Sequence, residues 1–78
     1  MRYMAGMNSH GANAVVGDLV EAINPMGEPT GLYGVVVGEH TMSSIVPKRM
    51  LHVLVTWNTG AEVEHMMDSY VRVVNRAS

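Results

Sequence analysis

The sequence lacks cysteine and phenylalanine, and it has few charged residues. Without cysteine, disulfide bonds, thiolate nucleophiles and zinc–sulfur sites are excluded. The absence of cysteine fits a reducing cytosol and a virion equally well, so it leaves the compartment open. Charged residues make up 15% of the chain, against about 25% in a typical soluble domain. A weakly charged surface favours packing against another protein.

Basic residues and long apolar runs are also scarce. The net charge is −2, and the five cations are scattered: Arg2, Lys48, Arg49, Arg72 and Arg76. A nucleic-acid-binding protein usually has a clustered basic footprint, so nucleic acid is the less favoured partner. No apolar run approaches the roughly 18 residues of a membrane span. The first residues also lack the continuous apolar segment of a secretory signal.

A predicted β-hairpin at Leu51–His65 organises the 78-residue chain. Val53, Val55 and Trp57 share one face of a predicted strand, and His52, Leu54 and Thr56 fall on the other. The connection Asn58–Gly60 is predicted to be a three-residue loop, in which Gly60 supplies the positive φ. Trp57 is expected to pack in the core or at its end, because it is in phase with the valines.

The other segments predict short strands separated by glycine- and proline-rich loops. The expected strands are Leu19–Ile23, Leu32–Glu39 and Val71–Val74, the loops are Met26–Gly31 and His40–Arg49, and a single 3₁₀ turn falls within Met66–Tyr70. Gly34 and Gly38 indicate a bulge or bend within the second strand. The run Val35–Val37 predicts burial on both faces or a twisted corner. Ile45 and Val46 are expected to cover one end of the core.

Five short strands with such turns are typical of a sandwich or a barrel, and the small size favours a strongly bent barrel. We therefore predict a flexible N-terminal arm (residues 1–15), an all-β barrel (residues 16–75) and a frayed C-terminus (residues 76–78). Met1, Met4 and Met7 would give the arm an adaptable apolar edge that orders on a neighbouring surface.

The order of these parts resembles an SH3-like barrel. The matching segments are Gly17-Asp18-Leu19-Val20, Gly34-Val35-Val36-Val37, Val53-Leu54-Val55-Thr56-Trp57, Asn58-Thr59-Gly60, Glu62-Val63-Glu64 and Tyr70-Val71-Arg72-Val73-Val74. The whole is similar to small SH3-like proteins encoded by tailed bacteriophages, over about residues 16–75. This resemblance implies a binding or structural module. The opening segment also resembles KOW-type nucleic-acid modules, although their basic loops are missing here.

The polar residues do not form a recognisable catalytic set. Glu62, Glu64, His65 and His52 are the only cluster with metal-ligand chemistry. In a strand, however, the two glutamates point one way and His65 the other. We interpret them as a solvated strand face that discourages edge pairing. We expect no enzyme activity, no metal and no cofactor, because no histidine stands beside a nucleophile in a known motif.

The sequence therefore predicts a non-enzymatic protein-interaction module of a phage particle or an accessory protein, in the virion or the host cytoplasm. Methionines in the loops either cap the barrel ends or meet a partner. Tyr33 and Tyr70 would edge a shallow groove. The candidate partner-binding residues are Met1, Met4, Met7, Met26, Tyr33, Met42, Lys48, Arg49 and Tyr70. The alternatives are a KOW-like module that uses Lys48, Arg49, Arg72 and Trp57, or a small regulator of a host protein. Homo-oligomerisation through an open strand edge is compatible with all three.

Overall fold

The computed structural model describes residues 13–42 and 45–77. It contains β1 (Leu19–Ile23), β2 (Pro29–Met42), β3 (Lys48–Trp57), β4 (Gly60–Met67), a 3₁₀ turn (Asp68–Tyr70) and β5 (Val71–Asn75). The all-β prediction and the 3₁₀ turn before the last strand are confirmed. Within the described ranges, no helix is long and apolar enough to cross a membrane.

The strands form one antiparallel sheet in the order β4-β3-β2-β1-β5. β4 and β5 are the two edges of this sheet, and among the described residues they do not pair with each other. The sheet is therefore open, and the predicted SH3-like barrel is not confirmed.

The hairpin of β2 and β3 is longer than the sequence predicts. β2 has 14 residues, and it pairs with β3 from Gly34↔Val55 to Met42↔Lys48. Much of the predicted loop His40–Arg49 is therefore strand, and so are Pro29–Gly31 of the earlier loop. The prediction was wrong because cross-strand hydrogen bonds continue the ladder through residues of low strand propensity.

A bulge lies in β2 where the pairing register shifts between Val36 and Gly38. Gly38 was predicted to mark such a feature. Val36 is buried while Val35 and Val37 are exposed, which is the alternation of a strand with one buried face. The prediction that this run is buried on both faces was wrong, and a twisted corner stays a prediction.

The core occupies one face of the sheet and is small. Its members share the inward phase of their strands or, for Ala14, precede β1: Ala14, Val20, Val36, Leu51, Val53, Val55, Val71 and Val73. Leu32 and Met66 pack against this cluster. Ile45 is fully exposed and Val46 largely so, which corrects the prediction that they cover the core.

Asp18 joins the two ends of the described chain. Its carboxylate is buried and accepts hydrogen bonds from the backbone N–H groups of Val15 (3.0 Å) and Ala77 (2.9 Å). Arg76 donates to the same carboxylate at 3.2 Å and to the carbonyl of Asn13 at 2.7 Å. Residues on both sides of the predicted barrel limits are thus packed together.

Candidate binding surface

An apolar row crosses four neighbouring strands on the face opposite the core, which we call the outer face. Val63 lies directly opposite Leu54, Leu54 opposite Val35, and Val35 opposite Leu19. Directly opposed residues of antiparallel strands point to the same side of the sheet. Leu19 is half-buried, and the other three are exposed. The sheet thus presents a continuous aliphatic row to solvent.

A depression with a volume of about 440 Å³ overlaps this row at Leu19, Val35 and Leu54. Tyr33 and Trp57 supply its aromatic walls, with Val35 and Leu54 of the apolar row and Thr56 beside them. We call it the aromatic depression. Its described lining carries no charged side chain. Its volume falls within the range of about 300–1,000 Å³ that is usual for ligand pockets.

Trp57 does not pack in the core, which corrects the first of the two positions expected from its phase with Val53 and Val55; packing at the end of the core stays a prediction. Its side chain is 41% exposed, and the indole N–H donates to Glu62 Oε1 at 2.9 Å. Trp57 is the last residue of β3, beyond the last buried valine, so it lies outside the buried core. Its ring is therefore free to line the aromatic depression.

Three histidines from β2, β3 and β4 meet next to the apolar row. His52 lies directly opposite His65, and their rings stack with centroids 4.5 Å apart. His40 Nδ1 is 2.6 Å from His52 Nε2. We call His40, His52 and His65 the histidine cluster. The sequence analysis missed it because it placed His40 in a loop.

Desolvation and like charge oppose protonation of His52 in the histidine cluster. Burial first, and then the neighbouring His65 and His40, hold the pKa of His52 below its ordinary value of 6.5. The short contact between His40 and His52 is a hydrogen bond only when one of the two nitrogens carries a proton and the other is unprotonated and accepts it. Acidification therefore replaces a hydrogen bond with repulsion.

We expect the fold to lose stability as the pH falls below the ordinary histidine pKa. A group whose folded pKa is depressed binds more protons in the unfolded chain, so its contribution is complete above about pH 6.5 and declines below it. His52→Asn should flatten this decline. Urea unfolding midpoints between about pH 5 and 8 measure it. An unchanged slope in the variant would contradict the role of His52.

The two glutamates of β4 lie on the opposite face from His65, as predicted. Glu62 is opposite Val55, and Glu64 is opposite Val53. The hydrogen bond that protonated Glu64 donates to Glu62, followed by desolvation and charge repulsion, raises the pKa of Glu64. Among the described residues, no group of three or more metal-ligand side chains is arranged to hold a metal ion.

Two of the candidate nucleic-acid contacts are already engaged within the sheet. Arg49 forms a two-point ion pair with Glu39, in which both distances are 2.8 Å, and also donates to the carbonyl of Ala14. Arg72 contacts the buried carboxylate of Glu21 at 2.7 Å. These pairs reduce the positive potential available to a phosphate backbone.

The other candidate residues are dispersed. Tyr33 lines the aromatic depression, whereas Tyr70 lies in the 3₁₀ turn and Met26 in the turn after β1. Met42 and Lys48 are paired at the far end of the β2–β3 hairpin. Met26 and Met42 are exposed and cover no core. Met1, Met4 and Met7 lie outside the described residues.

No family model matches the chain, and no curated protein or solved structure is significantly similar to it.

Proposed function

We propose that the chain is a non-catalytic module that binds an extended segment of another protein on its outer face. The observation that carries the proposal is the in-register apolar row that leads into the aromatic depression. In a folded protein, contiguous exposed apolar surface of this kind marks interaction sites. A chain this small gains from covering it, since its own core holds few side chains.

The part of the partner segment that lies in the aromatic depression is uncharged, apolar and proline-containing. The lining of the aromatic depression holds two aromatic rings and no charge, so a charged segment would lose hydration without gaining a partner. A polyproline II segment is already extended before it binds, and aromatic grooves take its rings at low entropic cost. The charge and shape of the depression thus favour this class of ligand.

The proposal includes a small SH3-like architecture. It is supported by the strand order, by the 14-residue β2 with its central bulge, and by the 3₁₀ turn before β5. A long bulged strand can serve both halves of a strongly bent sheet. We further propose that the module belongs to a tailed-phage particle or accessory protein. That placement rests on the resemblance of the sequence alone.

The single tryptophan makes the proposal measurable. Trp57 lines the aromatic depression, so its fluorescence should respond to a short capped peptide of proline, alanine and leucine. Leu54→Lys should weaken binding roughly tenfold, because the ammonium group would lie where apolar contact is needed. Val74→Lys is the matched control: both residues are 39% exposed, and Val74 is not part of the lining.

Two results would reject this site. One is an unchanged Trp57 spectrum at millimolar concentrations of every peptide in a proline-containing uncharged set. The other is equal weakening by Leu54→Lys and Val74→Lys, which would place the binding elsewhere. Circular dichroism of each variant confirms that the sheet is retained.

A further inference from the structure

The histidine cluster and the aromatic depression lie on one continuous surface. On the outer face, His52 is one cross-strand row beyond Leu54, and Leu54 lines the depression. Along β3, His52 and Trp57 are about 17 Å apart, given a rise of about 3.3 Å per residue. A polyproline II segment covers that distance with about five residues.

The charged groups that neighbour the histidine cluster are mainly engaged with one another. On β2 and β3, the neighbouring charges Glu39 and Arg49 are paired with each other. On β4, Glu64 alternates to the opposite face and hydrogen-bonds with Glu62, and its described charge interaction with the cluster is a weaker one with His65. Among the described groups, only burial and the other two histidines account for the lowered pKa of His52. A carboxylate from outside would offset this repulsion.

We infer that the bound segment carries a carboxylate about five residues from the part held in the aromatic depression. The histidine cluster, when protonated, binds this carboxylate. This inference rests on the proposed function and specifies its ligand. The apolar part of the segment lies along the row at Leu54, and the acidic residue reaches His52 and His65. His40 and His65 are exposed, so an approaching carboxylate meets their ring nitrogens without displacing the core.

Proton linkage gives the interaction a defined pH range. A bound carboxylate raises the pKa of the imidazoles it contacts, so binding takes up protons and strengthens as the pH falls through the histidine range. The gain ends where the carboxylate itself protonates, near pH 4.3 for a glutamate. Affinity for the acidic segment therefore passes through a maximum at mildly acidic pH. A segment without the acid has no such maximum.

Three capped peptides, each built mainly from proline, alanine and leucine, test the inference through Trp57 fluorescence. EDTA is present so that metal ions do not bind the histidines. The first carries Glu about five residues from its proline-rich part, the second has Gln at that position, and the third has the Glu adjacent to the prolines. At about pH 5.5, the first should bind about three- to fivefold more tightly than the second. At about pH 8 the two should be equal. The third should show no gain.

The triple variant His40→Asn, His52→Asn, His65→Asn should lose the preference for Glu and keep its affinity for the Gln peptide. Retained binding of the Gln peptide shows that the outer face is folded. A preference for Glu that survives in the triple variant, or that is the same at both pH values, would overturn the inference. In those cases the Gln peptide still binds, and the proposed function stands; binding of none of the peptides would reject both.

Discussion

Replacing Asp18 with alanine is expected to cost about 2–4 kcal/mol of unfolding free energy, because hydrogen bonds to a charged acceptor are worth about 1.5–3 kcal/mol each. The buried carboxylate holds two backbone N–H groups and Arg76, and thereby ties residues 13–15 to the two residues that follow β5. Water can reach Val15 and Ala77 once the carboxylate is gone, which limits the loss. A domain of this size has about 4–12 kcal/mol in total, so the variant should be severely destabilised.

Glu39→Ala is the matched control for Asp18→Ala. Both carboxylates pair with an arginine, but Glu39 is exposed and receives its described hydrogen bonds from Arg49 alone. Exposed ion pairs contribute at most about 1 kcal/mol. Urea unfolding followed by circular dichroism should therefore separate the two variants. Equal destabilisation would show that the backbone hydrogen bonds to Asp18 contribute little.

The pH dependence of stability should identify the same carboxylate. Burial alone would raise the pKa of Asp18, but the hydrogen bonds from Val15, Ala77 and Arg76 outweigh it and hold the pKa below the ordinary value of 3.8. The stabilisation is therefore complete above that value and is lost as the pH falls through the lower folded pKa. Asp18→Asn should lack this acid-sensitive part of the unfolding curve.

The strand content could be predicted because the signals are local. Alternation along Val53 and Val55 gave β3 its buried face, and the segment Leu19–Ile23 coincides with β1. The positive φ predicted for Gly60 is observed. The ends of β2 and β3 were missed because each extends on the hydrogen bonds of the other, a tertiary effect that residue propensity does not report.

The candidate surface depended on a register that the sequence analysis placed one residue out. The hairpin has a two-residue connection with Trp57 opposite Gly60, and counting outward from that pair brings His52 opposite His65. A three-residue loop shifts every pair by one and hides this contact. The apolar row also depends on the registers of β1 with β2 and of β2 with β3, and no sequence signal defined those.

The second large effect is expected at Gly34, where β2 approaches its neighbour β3 closely. A Cβ at this position would lie 2.5 Å from Val53 Cγ1 and 2.6 Å from the carbonyl oxygen of Leu54. The side chain can turn, but the carbonyl belongs to a strand that is paired on both sides. Gly34→Ala must therefore separate the two strands, and overpacking of this kind costs about 3 kcal/mol.

Gly27→Ala provides the comparison for Gly34→Ala, because the two glycines are needed for different reasons. Gly27 has a φ of +83° and open space around its Cβ, so alanine there adds only backbone strain of about 1–2 kcal/mol. Unfolding midpoints in urea should rank Gly34→Ala as the more destabilised variant. Adding Val53→Ala to Gly34→Ala should not restore stability, since the contact with the Leu54 carbonyl remains and a core methyl pair is lost. Restoration by that second change would mean that the side chain of Val53, rather than the backbone of β3, requires glycine at this position.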